Sequence, residues 1–515
     1  MLSGIHSYAL DGLNGYGVTV EVDIQAGLPK TDLVGLPDAA IKEAKERVRS
    51  AVKNSGYDYT PRKITVNLAP ANTRKEGSIF DLAIALGILC ATEQAGVDEH
   101  KKPLAVARDY VFLGELSLSG EVRKINGVMP MLISAREQGV KRVVVPYANA
   151  NEARYIRGID VYAVHNLREA VGLVNGLPAA PVEKSDIGIA IEAPYGEDFK
   201  FVKGQYSAKR AMEIAAAGGH NILMIGAPGG GKTMLAKCLP GILPDMSEAE
   251  ALETTKIHSA AGILDERIGI VTRRPFRSPH HTTSRVALTG GGSTARPGEI
   301  SFAHNGVLFL DELPEYPRAA LEILRQPLED GVVTVARAAR TVEYPASFML
   351  VASMNPCPCG FYGSASHECT CTPSQIQKYM SRISGPLLDR IDLHIHVDEV
   401  KYEELSAQNG EAESSADVKA RVNAARALQL LRYRDVGVFC NAKMTSAMIK
   451  RYCALDTAGE RILSSAFEKF GLSARAYTRV LKVARTIADL DGAVDISSRH
   501  VTEAVMYRSL DRSVK

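Results

Sequence analysis

Eight residues, Gly226-Ala-Pro228-Gly229-Gly230-Gly231-Lys232-Thr233, have the types and spacing needed to hold a nucleoside triphosphate. Glycines let backbone N–H groups turn inward around phosphates. A lysine behind them reaches the β- and γ-phosphates, and the hydroxyl that follows can ligate Mg²⁺. The apolar run Asn221-Ile-Leu-Met-Ile225 precedes the loop and a helical pattern, Met234-Leu-Ala-Lys-Cys-Leu239, follows it. That is the strand–loop–helix context such a loop requires, with a helix N-terminus facing the anion. A second apolar run, Gly306-Val-Leu-Phe-Leu, ends in Asp311-Glu312. Asp311 at the sheet edge can hold Mg²⁺ through water, and Glu312 can act as general base on the attacking water. A third run, Phe348-Met-Leu-Val-Ala-Ser-Met, ends in Asn355. Its amide can bond the γ-phosphate or the water; the alternative is an Asn capping the turn before Pro356.

A different chemistry is offered by Cys357, Cys359, Cys369 and Cys371, four of the eight cysteines in the chain. Two thiol pairs joined by a short loop suit a tetrahedral structural Zn²⁺ in an insert spanning 355–373, and metal would fold a loop too small for its own core. An iron–sulfur cluster is the metal alternative, unpaired cysteines the other, and His367 is a spare ligand. Cys90, Cys238, Cys440 and Cys453 lie in helical, mostly apolar contexts and read as small core residues.

The elements that must position these groups fall into blocks. With 515 residues the chain exceeds one hydrophobic core. Residues 1–176 alternate short strands with helices, among them Gly17–Asp23, Asp38–Asn54, Lys63–Leu68 and Arg142–Pro146. Residues 177–197 read as a linker, 198–400 as an α/β core with ligand at the carboxyl ends of its strands, and 401–515 as helices after a polar stretch. The expected helices are Ala416–Tyr433, Ser446–Cys453, Gly459–Phe470, Ala474–Leu490 and Ser498–Ser509. No apolar run has the length of a membrane span, and the first residues lack the order of a signal peptide, so the chain reads as cytoplasmic with no membrane partner.

A net charge of +2 leaves nucleic-acid binding to local patterns. The segment from Thr272 to Gly298 carries five arginines, Arg273, Arg274 and Arg277 among them, and no acidic residue. The segment Gly331–Tyr344 reads as a hairpin around a basic turn bearing Arg337 and Arg340. Both are candidates for DNA phosphates. The other reading is that these arginines meet nucleotide or a neighbouring subunit.

The order of phosphate loop, Asp-Glu strand, Asn strand and helical C-terminus is similar to that of AAA+ ATPases. That resemblance implies that Leu387-Leu-Asp-Arg390-Ile-Asp carries an arginine finger acting on the neighbouring subunit's ATP, and hence a ring, a hexamer. It implies a sensor arginine at the start of the last long helix, Arg475 first and Arg479 second. The segments His220-Asn-Ile-Leu-Met-Ile-Gly, Arg274-Pro-Phe-Arg-Ser-Pro-His-His-Thr, Arg296-Pro-Gly-Glu-Ile-Ser-Phe-Ala-His-Asn-Gly and Ala484-Arg-Thr-Ile-Ala-Asp-Leu resemble the ComM/YifB family, often labelled magnesium chelatase-like. This likeness covers essentially the whole chain. It implies a hexameric, ATP- and Mg²⁺-dependent DNA helicase that promotes branch migration during natural transformation.

Leu113-Gly-Glu-Leu-Ser-Leu-Ser-Gly-Glu-Val-Arg-Lys-Ile-Asn-Gly, Arg142-Val-Val-Val-Pro and Lys75-Glu-Gly resemble the Lon protease domain. The resemblance implies a Lon-like α+β domain before the AAA+ core, zinc knuckle and helical lid. Lon chemistry needs a serine nucleophile and a lysine base. Here those positions hold Ile79 or Phe80 and Met129, with Ser78 one residue early and Lys124 too far upstream. A non-proteolytic domain is expected. Two rivals to the DNA motor follow: a chelatase-type motor remodelling a protein partner, and an ATP-dependent protease, which the missing dyad disfavours.

Overall fold

A computed structural model describes residues 2–73, 75–98, 104, 109–186, 196–292, 295–337, 340–364, 366–399 and 413–508. Much of the expected linker, most of the polar stretch after residue 400, the hairpin tip with the side chains of residues 337–340, and Ser509 at the end of the last expected helix lie outside that description. The chain divides into two compact units, Met1–Ala190 with Glu248–Thr272, and Ile191–Ser247 with Arg273–Lys515. By this division residues 248–272 belong to the first unit, and the helical C-terminal part shares the second with the α/β core.

The first unit is built on a seven-stranded mixed sheet. Its strands lie in the order Lys30–Val34, Lys63–Ala69, Asn14–Gln25, Leu2–Asp11, Tyr110–Phe112, Arg142–Pro146 and Asp160–Val164. Asn14–Gln25 buries Val18, Val20, Val22 and Ile24, the period-two pattern that seats one face on a core. The helix Ala39–Asn54 is capped by Asp38, whose side chain accepts from the Ile41 N–H, and packs Ile41, Ala44, Val48 and Val52 inward. The helix Asp81–Ala91 is buried on nearly every side, as its continuous apolar sequence requires. The returning helix Glu248–Ala261 joins this unit through Ser259, whose hydroxyl donates to the buried Glu152 carboxylate at 2.7 Å and whose carbonyl accepts from Gly127 at 2.9 Å.

The second unit holds a five-stranded sheet in the order Phe276–Arg277, Val307–Leu310, Met349–Met354, Ile222–Ile225 and Leu393–His396. Every pairing in it is parallel. Ile222–Ile225 and Met349–Met354 are buried throughout, as strands covered on both faces must be. The helices Ser415–Tyr433, Ser446–Tyr452, Thr457–Phe470, Ala474–Leu490 and Ser498–Met506 follow. Val480, Ala484 and Ile487 from this set share one apolar core with Ile222 and Met224 of the sheet and Ala211 and Ala215 of the helix Tyr206–Gly218. Asn221 ties three strands together: its N–H donates to Asp392, its amide N–H donates to the Arg390 carbonyl, and its amide oxygen accepts from Leu350. Among the described residues no helix is long and apolar enough to cross a membrane.

Candidate nucleotide site and cysteine cluster

The phosphate loop leaves the strand Ile222–Ile225 at its carboxyl end, flanked by the ends of the neighbouring parallel strands Met349–Met354 and Leu393–His396. Gly226 lies so close to the Val397 carbonyl that a methyl group on it would stand 2.3 Å from that oxygen. Gly231 takes φ +85°, a left-handed conformation suited to glycine, and the helix Lys232–Cys238 starts at the next residue. Gln205 donates to the Gly230 carbonyl at 3.3 Å and to the Asp398 carbonyl at 2.6 Å, bracing the loop from its other side.

Four of the expected site residues converge here. The Lys232 ammonium is buried and donates to the carbonyls of Gly226 at 2.7 Å and Ala227 at 2.8 Å, and to Asn355 Oδ1 at 3.2 Å. Burial lowers its pKa, opposed by the carboxylates of Asp311 and Glu312. Thr233 Oγ1 donates to Asp311 Oδ2 at 2.8 Å, so the two expected Mg²⁺ ligands already face each other. Glu312 is exposed on an adjoining left-handed turn with φ +53°, a conformation that costs a non-glycine residue about 1–3 kcal/mol.

Three neighbours were not foreseen. The Ser353 hydroxyl donates to the other Asp311 oxygen and lies 3.3 Å from the Glu312 N–H, which it can accept. Its position two residues before Asn355 on the same strand face was the available signal. His281 Nδ1 stands 3.4 Å from Glu312 Oε2; it belongs to a His-His pair that sequence reading took only as a family mark. Gln205 carried no signal.

Within the chain the expected arginines have the following partners. Arg390 is buried, donates to the Pro386 carbonyl at 2.7 Å and pairs with Glu329 of its own chain. Arg475, half-exposed, stands 3.7 Å from that same Glu329. Arg479 is bound to the buried Asp392 at 2.5 Å. A finger reaching a neighbour's nucleotide must therefore first leave Glu329. In the basic segment Arg274 is spent on the carbonyls of Pro244, Asn305 and Asp245, and Arg277 forms a two-pronged pair with Glu299 at 2.7 Å. Both side chains have structural partners, which reduces the positive field read from sequence. Arg337 and Arg340 pair as the last register of the hairpin Val332–Arg337 and Arg340–Pro345.

The sulfur atoms of Cys357, Cys359, Cys369 and Cys371 lie within 4.8 Å of one another. Cys357 is 3.3 Å from Cys359 and 3.7 Å from Cys369, and Cys359 is 3.6 Å from Cys369. Four thiolates around zinc at about 2.3 Å stand about 3.8 Å apart, so the donor set fits such an ion. Cys238, Cys440 and Cys453 are buried, as expected of core thiols, whereas Cys90 is only half-buried.

In the first unit the residues near the Lon-like positions have partners of their own. Ser78 donates to Glu115, Lys124 pairs with Glu266 at 2.9 Å, and Met129 is fully buried.

A parallel sheet in which the Asn strand lies between the phosphate-loop strand and the Asp-Glu strand, with a fused helical C-terminus, defines an AAA+ core of the magnesium chelatase type. Three family descriptions match in agreement with it: "Magnesium chelatase, subunit ChlI" over 198–405, "Subunit ChlI of Mg-chelatase" over 20–149, and "Magnesium chelatase, subunit ChlI C-terminal" over 412–508. Competence protein ComM of Haemophilus influenzae is 42% identical over 516 residues, covering 99% of this chain and 98% of that protein. YifB of Escherichia coli is 43% identical over 512 residues, with 99% and 98% covered. Lon protease 2 of Bacillus subtilis is 29% identical over 151 residues, covering 29% of this chain and 25% of that protein. The chain belongs to the ComM/YifB family of magnesium chelatase-like proteins.

Proposed function

We propose that the chain is a Mg-ATP hydrolase working as a hexameric DNA motor, promoting branch migration of recombination intermediates during DNA uptake. The observation that carries the ATPase is the convergence of Lys232, Thr233, Asp311 and Asn355 at the ends of three adjacent parallel strands. Thr233 and Asp311 hold Mg²⁺, which when bound offsets phosphate charge. Lys232 exchanges its loop carbonyls for phosphate oxygens, and Glu312 orients the attacking water and takes its proton. Asn355 holds Lys232 and reports the state of the site to its strand. Arg390 and Arg475 serve the nucleotide of a ring neighbour or their own once Glu329 releases them. Zinc at the four cysteines is a structural metal.

Support for DNA comes from the name of the Haemophilus influenzae relative and from the hairpin register that sets Arg337 opposite Arg340. The hairpin is favoured over the Thr272–Gly298 segment because Arg274 and Arg277 are engaged within the chain. The non-proteolytic reading of the first unit is supported by the partners of Ser78 and Lys124.

The test is the ATPase rate with and without forked or four-way DNA, with Glu312→Gln as control. Stimulation by DNA that is lost when Arg337 and Arg340 become Ala is the expected result. A rate abolished in the control yet indifferent to every DNA would overturn the DNA motor and favour a chelatase-type protein-remodelling motor.

A further inference from the structure

The cysteine cluster and the phosphate loop are bound to each other by a short run of backbone. From the end of the strand Met349–Met354 the chain reads Asn355-Pro-Cys357-Pro-Cys359-Gly360. At one end of this run Asn355 accepts from Lys232 at 3.2 Å. At the other, Gly360 packs on Pro228 so tightly that a methyl group on it would stand 2.6 Å from the proline ring. The first thiol pair therefore sits between two contacts with the phosphate loop. Gly360 closes a turn by donating to the Cys357 carbonyl at 3.0 Å, and its φ of +90° is held by that turn.

The far side of the knuckle is fixed to the same neighbourhood. Ser364 donates to Glu399 at 2.6 Å, and Ser366 donates to the other oxygen of that carboxylate. Glu399 follows Val397, on whose carbonyl Gly226 rests, and Asp398, whose carbonyl shares Gln205 with Gly230. The phosphate loop is thus clamped between the knuckle and 397–399, and the knuckle spans both jaws.

A bound ion would add to these contacts the link between the two thiol pairs. The knuckle's four sulfurs converge, and the N–H groups of Tyr362 and Cys359 donate to the sulfurs of Cys357 and Cys371 at 3.3 and 3.4 Å, an arrangement that suits metal-bound sulfur. Four sulfurs converging this closely form a tetrahedral donor set for one cation.

We propose that a metal ion held by Cys357, Cys359, Cys369 and Cys371 sets the shape of the phosphate loop, so that nucleotide affinity depends on the metal. The inference rests on the reading that this loop binds ATP. Binding of the metal draws the two thiol pairs together. That presses Gly360 on Pro228 and keeps Asn355 on Lys232. Loss of the metal frees both contacts, and the loop relaxes before any ligand reaches it.

The experiment measures zinc per chain by a colorimetric zinc assay and affinity for a fluorescent ATP analogue by titration. It is run on the full chain as purified, after chelation, and after zinc is restored. The expected results are one zinc per chain and affinity about tenfold weaker or more after chelation, recovered on reloading. Cys371→Ser should lose both metal and affinity, with circular dichroism checking that it remains folded. Gly360→Ala should keep its zinc but bind the analogue more weakly, because all four thiols remain while Pro228 is displaced. A folded, zinc-free chain with unchanged affinity would overturn the coupling, as would a Gly360→Ala chain binding like wild type. Absence of zinc as purified, with none taken up on addition, would overturn the metal site. Failure of the zinc-loaded wild type to bind the analogue would instead sink the nucleotide reading.

Discussion

Asp392 offers the sharpest test of how the helical C-terminal part is joined to the sheet. Its carboxylate is buried just before the strand Leu393–His396, and Arg479 of the helix Ala474–Leu490 meets it at 2.5 Å. The Asn221 N–H donates to it at 3.1 Å, and His220 Nδ1 lies at 3.4 Å. Burial alone would raise its pKa, but Arg479, with His220 and Lys482, outweighs that and holds the carboxyl well below the usual carboxylate range. Asp392→Asn keeps the shape and strands the Arg479 charge. Breaking a buried pair in this way costs about 3–5 kcal/mol. Taking about 3 kcal/mol, and about 2.1 cal/mol/K per residue over the roughly 300 residues of this unit, the melting temperature should fall by about 5 °C near neutral pH. The folded pKa lies below the unfolded value of about 3.9, so the stabilisation is complete above about pH 5. It fades as pH falls towards the folded pKa, and the gap between wild type and variant should narrow near about pH 3. Thermal melts followed by far-ultraviolet circular dichroism suit a chain without tryptophan. A variant melting within about 1 °C of wild type at neutral pH, or a gap that does not close in acid, would refute the reasoning.

Gly226→Ala should weaken nucleotide binding about tenfold or more by calorimetric titration, because overpacking against the Val397 carbonyl costs about 1–3 kcal/mol; unchanged affinity would mean that the loop start is not held there. Ser353→Ala should lower the ATPase rate several-fold and raise the Mg²⁺ concentration needed for half-maximal rate, since one Asp311 oxygen loses its donor; an unaltered Mg²⁺ dependence would leave Ser353 a packing residue. Changing Arg337 and Arg340 together to Ala should flatten the dependence of log affinity for DNA on log salt by about two, measured by fluorescence anisotropy; an unchanged slope would remove the hairpin from the DNA surface.

Contiguous features were legible in the sequence. The phosphate loop, the strand into Asp311-Glu312, the strand into Asn355 and the hairpin each announce themselves by apolar runs bounded by turn residues, and each is found within a residue or two of its expected bounds. The cysteine pairs were legible for the same reason, since all four lie in one short segment. What failed was partner choice across distance. Arg274 and Arg277 read in sequence as local positive charge and Arg390, by resemblance, as a finger; within the chain their partners are backbone carbonyls, Glu299 and Glu329. No periodicity encodes such a pairing. Carbonyl acceptors in particular leave no trace in side-chain chemistry, because every residue supplies one. The place of Glu248–Ala261 was hidden too, for its modest apolar face names no partner.

That helix bears on how the chain comes to be assembled. Glu152 lies buried in the first unit with its oxygens spoken for by Asn149, the Met129 N–H and Ser259. Ser259 emerges from the ribosome only after the whole phosphate loop has been made. A fragment ending near residue 190 would therefore leave Glu152 one donor short and strip away the residues that pack beside Leu132 and Ile156, among them Leu252. Synthesis must carry the nucleotide strand and loop past an unfinished first unit, then turn back to seal it. The two units are consequently interlaced in the order of their making, and neither can be excised from the gene as one uninterrupted piece.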